Sequence, residues 1–269
     1  EDTLSLHDAL PISEIQDSRN VVTLDHVSGN VEFDHVSFKL DGKQILSDIS
    51  FSVKEGKTLG IMGATGSGKS SVVNLIPRFY DATKGSVQIG GKDVREYSLE
   101  ELRGKIGMVL QKAVLFKGTI RENISLGLDL SQEKLEEATK AVYAHDFISS
   151  LAQGYDTPLS EGGLNLSLGQ RQLISFARVL AHEPSVIILD EATSSIDTET
   201  EKLLQRGIEG LLKGHTSIVI AHRLSTIRDA NRIIVLGQGR VAEIGTHDEL
   251  IALHGLYWNL YRLQNKEME

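Results

Sequence analysis

The sequence predicts an α/β fold in which a mostly parallel sheet is joined by an antiparallel β-subdomain and an α-helical subdomain. Short apolar runs such as 186–189 and 216–221 alternate with helical patterns along the second half of the chain, which is typical of a parallel sheet. Residues 31–53 instead alternate apolar and polar side chains around Asp41-Gly42, a strong signal for an antiparallel hairpin. From about 119 to 151 the apolar residues follow helical spacing, which predicts the helical subdomain.

The remaining elements are predicted from the same patterns. In chain order they are a hairpin at 84–91, a strand at 107–111, a helix from Ser167 to Leu180, a helix at 202–212, a hairpin at 232–244 and closing helices at 249–253 and 256–263. Glu183-Pro184 ends the helix that begins at Ser167, because the residue before a proline avoids helical backbone.

Composition limits the class of protein. The chain has 269 residues, of which 40% are apolar and 25 are glycine, which fits a globular α/β protein. No apolar run approaches the roughly 18 residues that span a membrane. Cysteine is absent, so no disulfide holds the fold. The net charge of −9 gives no support to nucleic-acid binding.

A glycine-rich motif lies between the apolar run 58–62 and the helical run 70–76. It matches G-x-x-x-x-G-K-[ST], the phosphate-binding loop (P-loop), and reads Gly63-Ala64-Thr65-Gly66-Ser67-Gly68-Lys69-Ser70. Glycines let the backbone wrap around phosphate oxygens, and the N–H groups up to Ser71 then point at the anion. We expect Lys69 to reach the β- and γ-phosphates of ATP and the Ser70 hydroxyl to bind Mg²⁺. A glycine-rich turn before an ordinary helix, the alternative, fits this strand–loop–helix context less well.

Two adjacent carboxylates, Asp190 and Glu191, follow the predicted strand 186–189. Ligands bind at the carboxyl ends of parallel strands, so both side chains are expected at the ligand edge of the sheet. Asp190 would hold Mg²⁺, usually through water, and Glu191 would orient and deprotonate the attacking water. The alternative is a carboxylate pair that caps a following helix.

A short segment ahead of Asp190 indicates a family. It reads Leu166-Ser167-Leu168-Gly169-Gln170. ABC transporters carry a Leu-Ser-Gly-Gly-Gln signature at this place in their ATP-binding domain, and the chain resembles such a domain over nearly all of residues 31–264. The resemblance implies a RecA-like P-loop NTPase core, and it implies that Ser167, Gly169 and Gln170 contact the γ-phosphate held by a partner subunit. A helix N-terminus suits an anion, although the stretch alone would predict only a helix start capped by Ser167.

The same resemblance implies roles for four further residues. Gln111 matches the Q-loop glutamine, which touches Mg²⁺ and senses the membrane domain. Asp197 closes the D-loop, which crosses the dimer interface, and His222 matches the switch histidine, which hydrogen-bonds the γ-phosphate. Leu40 stands two residues after Phe38, where the family has an aromatic side chain, often Tyr, that stacks on adenine. A lone Gln or His is more often structural, so these roles depend on position between known motifs.

Leu168 departs from the family, because it replaces the first glycine of the signature pair. A leucine takes positive φ only at a cost, and it adds bulk where the partner's triphosphate must approach. We therefore expect an impaired signature in a chain whose own P-loop is complete. That pairing resembles one subunit of heterodimeric exporters, and it slightly favours a heterodimer with a second ABC ATPase domain over a homodimer.

Three segments resemble exporters in particular. Residues 118–124 look like the stretch that faces the coupling helices of the membrane domain. Residues 157–163 resemble the exporter X-loop, with Glu161 at its acidic position and Ser160 in place of Gly, and the ending 255–264 is also exporter-like. The resemblance implies hydrolysis of ATP to ADP and phosphate in a head-to-tail dimer with two nucleotides at the interface. This dimer would lie at the cytoplasmic face of the cell membrane, beside a transmembrane domain.

Two other functions are open from sequence alone. One is a soluble ABC ATPase of DNA repair or translation, against which the stretch 118–124 and the X-loop argue. The other is a regulatory ATP-binding module with little turnover, against which the complete set of catalytic residues argues. That set is Lys69, Asp190, Glu191 and His222.

The ATPase domain is predicted to span 31–269, with its helical subdomain at about 113–178, after a polar linker at 14–30. Residues 1–13 form a leader. Within it, Ser5 to Ile12 matches the in-frame translation of a common sequencing adapter, and we interpret the leader as an assembly artefact. On that interpretation the true upstream sequence, with the membrane helices of an exporter, is expected to be missing. The alternative is a natural disordered leader.

Overall fold

The structure of the chain, a computed structural model, describes residues 15–17, 28–190, 198–220 and 224–266. Its strands are β1 (Val31–Leu40), β2 (Lys43–Val53), β3 (Thr58–Gly63), β4 (Lys84–Ile89), β5 (Lys92–Asp93), β6 (Ile106–Val109), β7 (Gly118–Thr119), β8 (Pro158–Leu159), β9 (Val186–Asp190), β10 (Thr216–Ile220), β11 (Arg232–Gly237) and β12 (Arg240–Gly245). Its α-helices are α1 (Lys69–Leu75), α2 (Leu99–Gly104), α3 (Ile120–Ser125), α4 (Gln132–Ala141), α5 (His145–Ser150), α6 (Leu168–Ala181), α7 (Thr198–Leu212), α8 (Leu224–Ile227), α9 (His247–Leu253) and α10 (Leu256–Lys266).

Six strands form the central sheet in the order β12-β11-β3-β10-β9-β6. The neighbouring strands are parallel except for β11 and β12, which form the predicted late hairpin. Every residue of β10 is buried, and β9 is buried except at its last residue. Continuous apolar runs of this kind are expected where both faces of a parallel sheet are covered. The mostly parallel sheet predicted from the sequence is confirmed.

The second sheet, in the order β2-β1-β4-β5, is antiparallel and confirms the predicted β-subdomain. Its two hairpins turn at Asp41-Gly42 and Gly90-Gly91, and all four residues have positive φ, from 50° to 79°. Two-residue turns with positive φ at both positions match the right-handed twist of the strands they join. Phe33 and Phe51 then stack across β1 and β2, with ring centroids 4.5 Å apart.

The helical spacing between 119 and 151 corresponds to three helices, α3, α4 and α5, rather than to one run. Leu126 and Tyr143 adopt left-handed backbone, with φ of 43° and 59°. A left-handed residue ends a helix, and the sequence concealed this because Leu and Tyr seldom adopt that conformation. Helix α7 likewise begins at Thr198 rather than at residue 202, since its polar first turn adds nothing to the apolar spacing.

The central sheet separates two apolar cores. Ile187, Leu189 and Val219 face the core that contains the helical subdomain, whereas Ile188 and Ile218 face the core that contains the antiparallel sheet. Successive side chains of a strand point to opposite faces, so the two subdomains are held on opposite sides of the same strands. In the part of the chain described here, no helix is both long and apolar enough to cross a lipid bilayer.

Candidate nucleotide-binding site

The carboxyl ends of four central strands lie side by side, in the order β3, β10, β9 and β6. The P-loop leaves β3 at Gly63, Asp190 is the last residue of β9, and Gln111 comes two residues after β6. Asp190 is in register with Ile220 of β10, which is in register with Ile61 of β3. Strands about 4.8 Å apart put Asp190 about 10 Å across the sheet from β3. Predicted site residues from distant parts of the chain therefore meet at one edge.

Three predicted site residues, Glu191, Asp197 and His222, lie outside the described residues. Glu191 directly follows Asp190, and His222 comes two residues after Ile220, the last residue of β10. Their roles remain predictions that rest on the sequence.

The P-loop has a backbone that requires glycine at both ends. Gly63 has φ 151° and Gly68 has φ 103°, values that residues with side chains rarely adopt. A Cβ at Gly68 would lie 2.6 Å from Leu46 Cδ2 of β2, and a Cβ at Gly63 would lie under 3.0 Å from the Leu236 carbonyl oxygen of β11. The loop is therefore fitted between β2 and β11, while its tip at 64–66 is exposed.

A turn between β11 and β12 connects the P-loop to the antiparallel sheet. The Gly239 N–H donates to the Ser67 carbonyl oxygen at 3.2 Å, and the Gly239 carbonyl oxygen accepts from the Ser47 N–H of β2 at 2.8 Å. A side chain at Gly239 would collide with the Ile45 carbonyl oxygen. One glycine thus holds the P-loop and β2 in a fixed relation.

The Lys69 side chain lies folded across the P-loop and is 8% exposed. Its Nζ donates to the carbonyl oxygens of Gly63 at 2.8 Å and Ala64 at 3.0 Å. Burial lowers the pKa of the ammonium group, and the nearby Asp190 carboxylate offsets part of that effect. Beside it, the buried Ser67 hydroxyl has no hydrogen-bond partner among the described residues. A phosphate in the loop would give the ammonium group a charged acceptor.

Three side chains at this edge carry oxygen ligands suited to Mg²⁺. Ser70 and Gln111 are exposed, and Asp190 is partly buried. Mg²⁺ prefers hard oxygen ligands and is usually bound by one or two carboxylates together with substrate phosphates. A hydroxyl, an amide and a carboxylate fit a cation shared with a nucleotide. Within the described ranges there is no group of three His, Cys, Asp or Glu side chains that could hold a metal.

Ser167 caps helix α6, as the sequence taken alone predicts. Its Oγ accepts from the Gln170 N–H at 3.2 Å, and Gln170 Oε1 accepts from the Ser167 N–H at 3.0 Å. This reciprocal pair is a capping box. Ser167 is exposed whereas Gly169 is buried. The first N–H groups of a helix have no partner within the helix. The capping box is therefore compatible with the predicted contact between this segment and a γ-phosphate.

Leu168 does not strain the backbone, and that part of the expectation is wrong. As the first residue of α6 it has no positive φ, because the start of a right-handed helix does not use left-handed backbone. Its bulk remains relevant, since the side chain is 46% exposed at the helix start.

Leu168→Gly should raise the ATPase rate of the purified chain several-fold, because a homodimer of this chain carries the bulky side chain in both signatures. Glycine lowers helix stability by about 1 kcal/mol. We expect the removal of the bulky side chain to affect the ATPase rate more than this cost does. Phosphate release at a fixed chain concentration measures the effect. Leu253→Gly, which removes an exposed leucine from α9, is the matched control. An unchanged rate would make Leu168 harmless and remove the main support for a heterodimer.

Two residues that sequence reasoning missed hold the segment after Gln111. Arg178 of α6 donates to the Asn123 carbonyl oxygen at 2.6 Å and to the Val114 carbonyl oxygen at 2.8 Å. The buried Asn123 amide in turn donates to the Phe116 carbonyl oxygen at 2.8 Å. Burial lowers the pKa of the Arg178 guanidinium. The sequence around Arg178 gives no signal for these contacts, because their acceptors lie more than 50 residues earlier in the chain.

Leu40 is the last residue of β1, where it pairs with Lys43 and is 39% exposed. Phe38, two residues earlier on the same face, pairs with Leu46, the residue that contacts Gly68. The contact between residue 40 and adenine stays a prediction.

Leu40→Tyr should tighten ATP binding by about two- to ten-fold, because stacking on an aromatic ring adds about 0.5–1.5 kcal/mol beyond burial. Equilibrium titration of the purified chain with ATP measures the gain. Leu128→Tyr places the same ring at another leucine of similar exposure, 45%, outside the site, and should leave the affinity unchanged. Equal or weaker binding by Leu40→Tyr would contradict the assignment.

The P-loop at the edge of a mostly parallel sheet, with Lys69 folded over it and Asp190 two strands away, defines a P-loop nucleoside triphosphatase. A model of the ABC transporter family matches residues 46–194, more than half of the chain. The chain belongs to the ABC transporter family, and the part it represents is the ATP-binding domain. The family resemblance predicted from sequence is confirmed.

Individual relatives agree with this family. The protein exp8 of Streptococcus pneumoniae, named as an ABC transporter ATP-binding protein, is 52% identical over 237 residues, covering 88% of this chain and 41% of exp8. An ATP-dependent lipid A-core flippase of Syntrophus aciditrophicus is 46% identical over 264 residues, covering 98% of this chain and 44% of the flippase. A solved bacterial Atm1-family ABC exporter with ATP bound matches with a TM-score of 0.84 at 40% identity, covering 93% of this chain and 44% of that chain. The chain thus spans less than half the length of each of these relatives.

Proposed function

We propose that this chain is the ATP-hydrolysing domain of an ABC exporter, and that it powers export through a head-to-tail dimer with ATP at the interface. The observation that carries the proposal is the convergence of a complete P-loop, Asp190 and Gln111 at one edge of the sheet. The relatives named as a flippase and as an exporter support the same function.

Each site residue has its own role in the proposed reaction. Lys69 and the N–H groups of the P-loop would hold the phosphates, and Ser70, Gln111 and Asp190 would hold Mg²⁺. Bound Mg²⁺ neutralises charge on the β- and γ-phosphate oxygens. Glu191, next to Asp190, accepts a proton from the attacking water, and His222 hydrogen-bonds the γ-phosphate. Release of Lys69 from the Gly63 and Ala64 carbonyl oxygens frees its ammonium group for the incoming phosphate.

The partner in this proposal is a second ABC ATPase domain. Its signature completes the site of this chain, and Ser167, Gly169 and Gln170 of this chain complete the partner's site. The exposed bulk of Leu168 weakens only the second of these sites. We therefore favour a heterodimer in which the partner carries an intact signature.

The second proposed partner is a transmembrane domain that docks near Gln111, at the cytoplasmic face of the membrane. Leu110, Val114 and Phe116 leave 48%, 46% and 54% of their surface exposed, and large exposed apolar patches mark interaction sites. The Arg178 guanidinium lies 5.8 Å from the Phe116 ring centroid, so this segment is supported from the signature helix.

Phosphate release by the purified chain tests the proposal. Each site needs two chains, so the rate per chain should be low at low concentration and should rise with chain concentration. Binding of ATP without phosphate release at any concentration would favour the regulatory module instead. A rate per chain that is independent of concentration would contradict the dimer. Copurification of the protein with nucleic acid rather than with membranes would favour a soluble ABC protein.

A further inference from the structure

The buried glycine of the signature packs against the helix that follows the D-loop. Gly169 lies in the first turn of α6, and Thr200 lies in the first turn of α7. A Cβ at Gly169 would fall well under 3.0 Å from Thr200 Cγ2, a separation that real Cβ atoms essentially never show. The next nearest atoms, Thr200 Cβ and Ser167 Oγ, would be at 3.8 Å and 4.0 Å. A single methyl group therefore accounts for the lack of space.

Helices α6 and α7 also approach each other closely further along their lengths. A Cβ at Gly207 of α7 would lie 2.7 Å from Leu173 Cδ2 of α6, and a Cβ at Gly210 would collide with the Ala141 carbonyl oxygen of α4. The Arg206 guanidinium lies 4.2 Å from the Tyr143 ring centroid, between α4 and α5. Helix α7 is therefore packed tightly against the helical subdomain along several turns, and it adjusts little on its own.

We propose that Thr200 is a positioning residue for the signature, acting through its methyl contact with Gly169. The contact fixes the first turn of α6, which carries Ser167 and the free N–H groups. This inference rests on the proposed function, because the signature serves the nucleotide of a partner chain. On this inference Gly169 is required because a larger residue would not fit against Thr200, and not only because it contacts phosphate.

The test moves one methyl group from residue 200 to residue 169. Gly169→Ala alone should weaken dimerisation of the purified chain, with a non-hydrolysable ATP analogue and Mg²⁺, by about ten-fold, since added bulk in a packed contact is poorly tolerated. The double variant Gly169→Ala/Thr200→Ser should recover to within about three-fold of the parent, as expected for residues that share one contact. Gly169→Ala/Thr200→Val retains a γ-methyl group and should not recover.

Sedimentation measures the dimer, titration of dilute monomer measures nucleotide affinity at the chain's own P-loop, and thermal unfolding measures the fold. A positioning role predicts weaker dimerisation with unchanged nucleotide affinity. Gly169→Ala that lowers only the unfolding temperature would overturn the inference, as would failure of the serine double variant to recover. If Gly169→Ala does not fold, the two double variants still provide the test. The serine double variant should dimerise within about three-fold of the parent, and the valine double variant should not. A parent chain that binds the analogue but never dimerises would overturn the proposed function itself, and the inference with it.

Discussion

Glu191→Gln should bind ATP as the parent chain does and hydrolyse it at least about a hundred-fold more slowly, because a general base contributes about 10²- to 10⁴-fold to a rate. Glutamine keeps the size of the side chain and removes the group that accepts the proton. With ATP bound but not cleaved, the variant should also accumulate as a dimer. Phosphate release and size-exclusion chromatography in the presence of ATP and Mg²⁺ measure the two effects.

Glu209→Gln makes the same substitution at an exposed position of α7 and should retain parental turnover. If Glu191→Gln hydrolyses ATP at the parental rate, Glu191 is not the base, and a water bound near Asp190 would have to lose its proton to another group.

Lys69→Met should lower the affinity for ATP by about ten- to a hundred-fold, because a hydrogen bond to a charged group is worth about 1.5–3 kcal/mol. Methionine retains most of the apolar stem of lysine and loses the buried ammonium group that the Gly63 and Ala64 carbonyl oxygens now bind. Titration with ATP measures the loss, and thermal unfolding shows whether those two carbonyl contacts also support the fold.

Lys84→Met removes the same charge from an exposed position of the antiparallel sheet and should leave ATP affinity unchanged. Parental affinity in Lys69→Met would mean that the ammonium group stays on the loop carbonyl oxygens when ATP binds, and the proposed role of Lys69 would be wrong.

Features with a local physical cause could be predicted from the sequence. The glycine turns at Asp41-Gly42 and Gly90-Gly91, the P-loop and the helix start at Ser167 each depend on neighbours within a few residues. The buried strand β9 and the carboxylate at its end were predictable for the same reason. The family resemblance then supplied what local chemistry cannot, namely the prediction that a second chain completes the site.

Other features depend on contacts between distant segments or on unusual backbone. Nothing near Arg178 in the sequence indicates that it binds the Val114 carbonyl oxygen, and nothing near Gly169 indicates Thr200. The left-handed backbone at Leu126 runs against the residue's own preference. At Leu168 the opposite happened. The glycine-rich family pattern suggested a left-handed backbone, which the start of helix α6 does not require.

The turn at Gly239 determines how the chain should respond to partial unfolding. Its two hydrogen bonds join the Ser67 carbonyl oxygen to the Ser47 N–H, so the edge of the antiparallel sheet cannot open there without disturbing the P-loop. Segments linked in this way open as one cooperative unit. A ligand that binds only the folded form stabilises it by RT ln(1 + [L]/Kd), about 2.7 kcal/mol at a hundred times Kd. Hydrogen exchange at the Ser47 amide would therefore slow as nucleotide fills the loop, although Ser47 itself lies on β2.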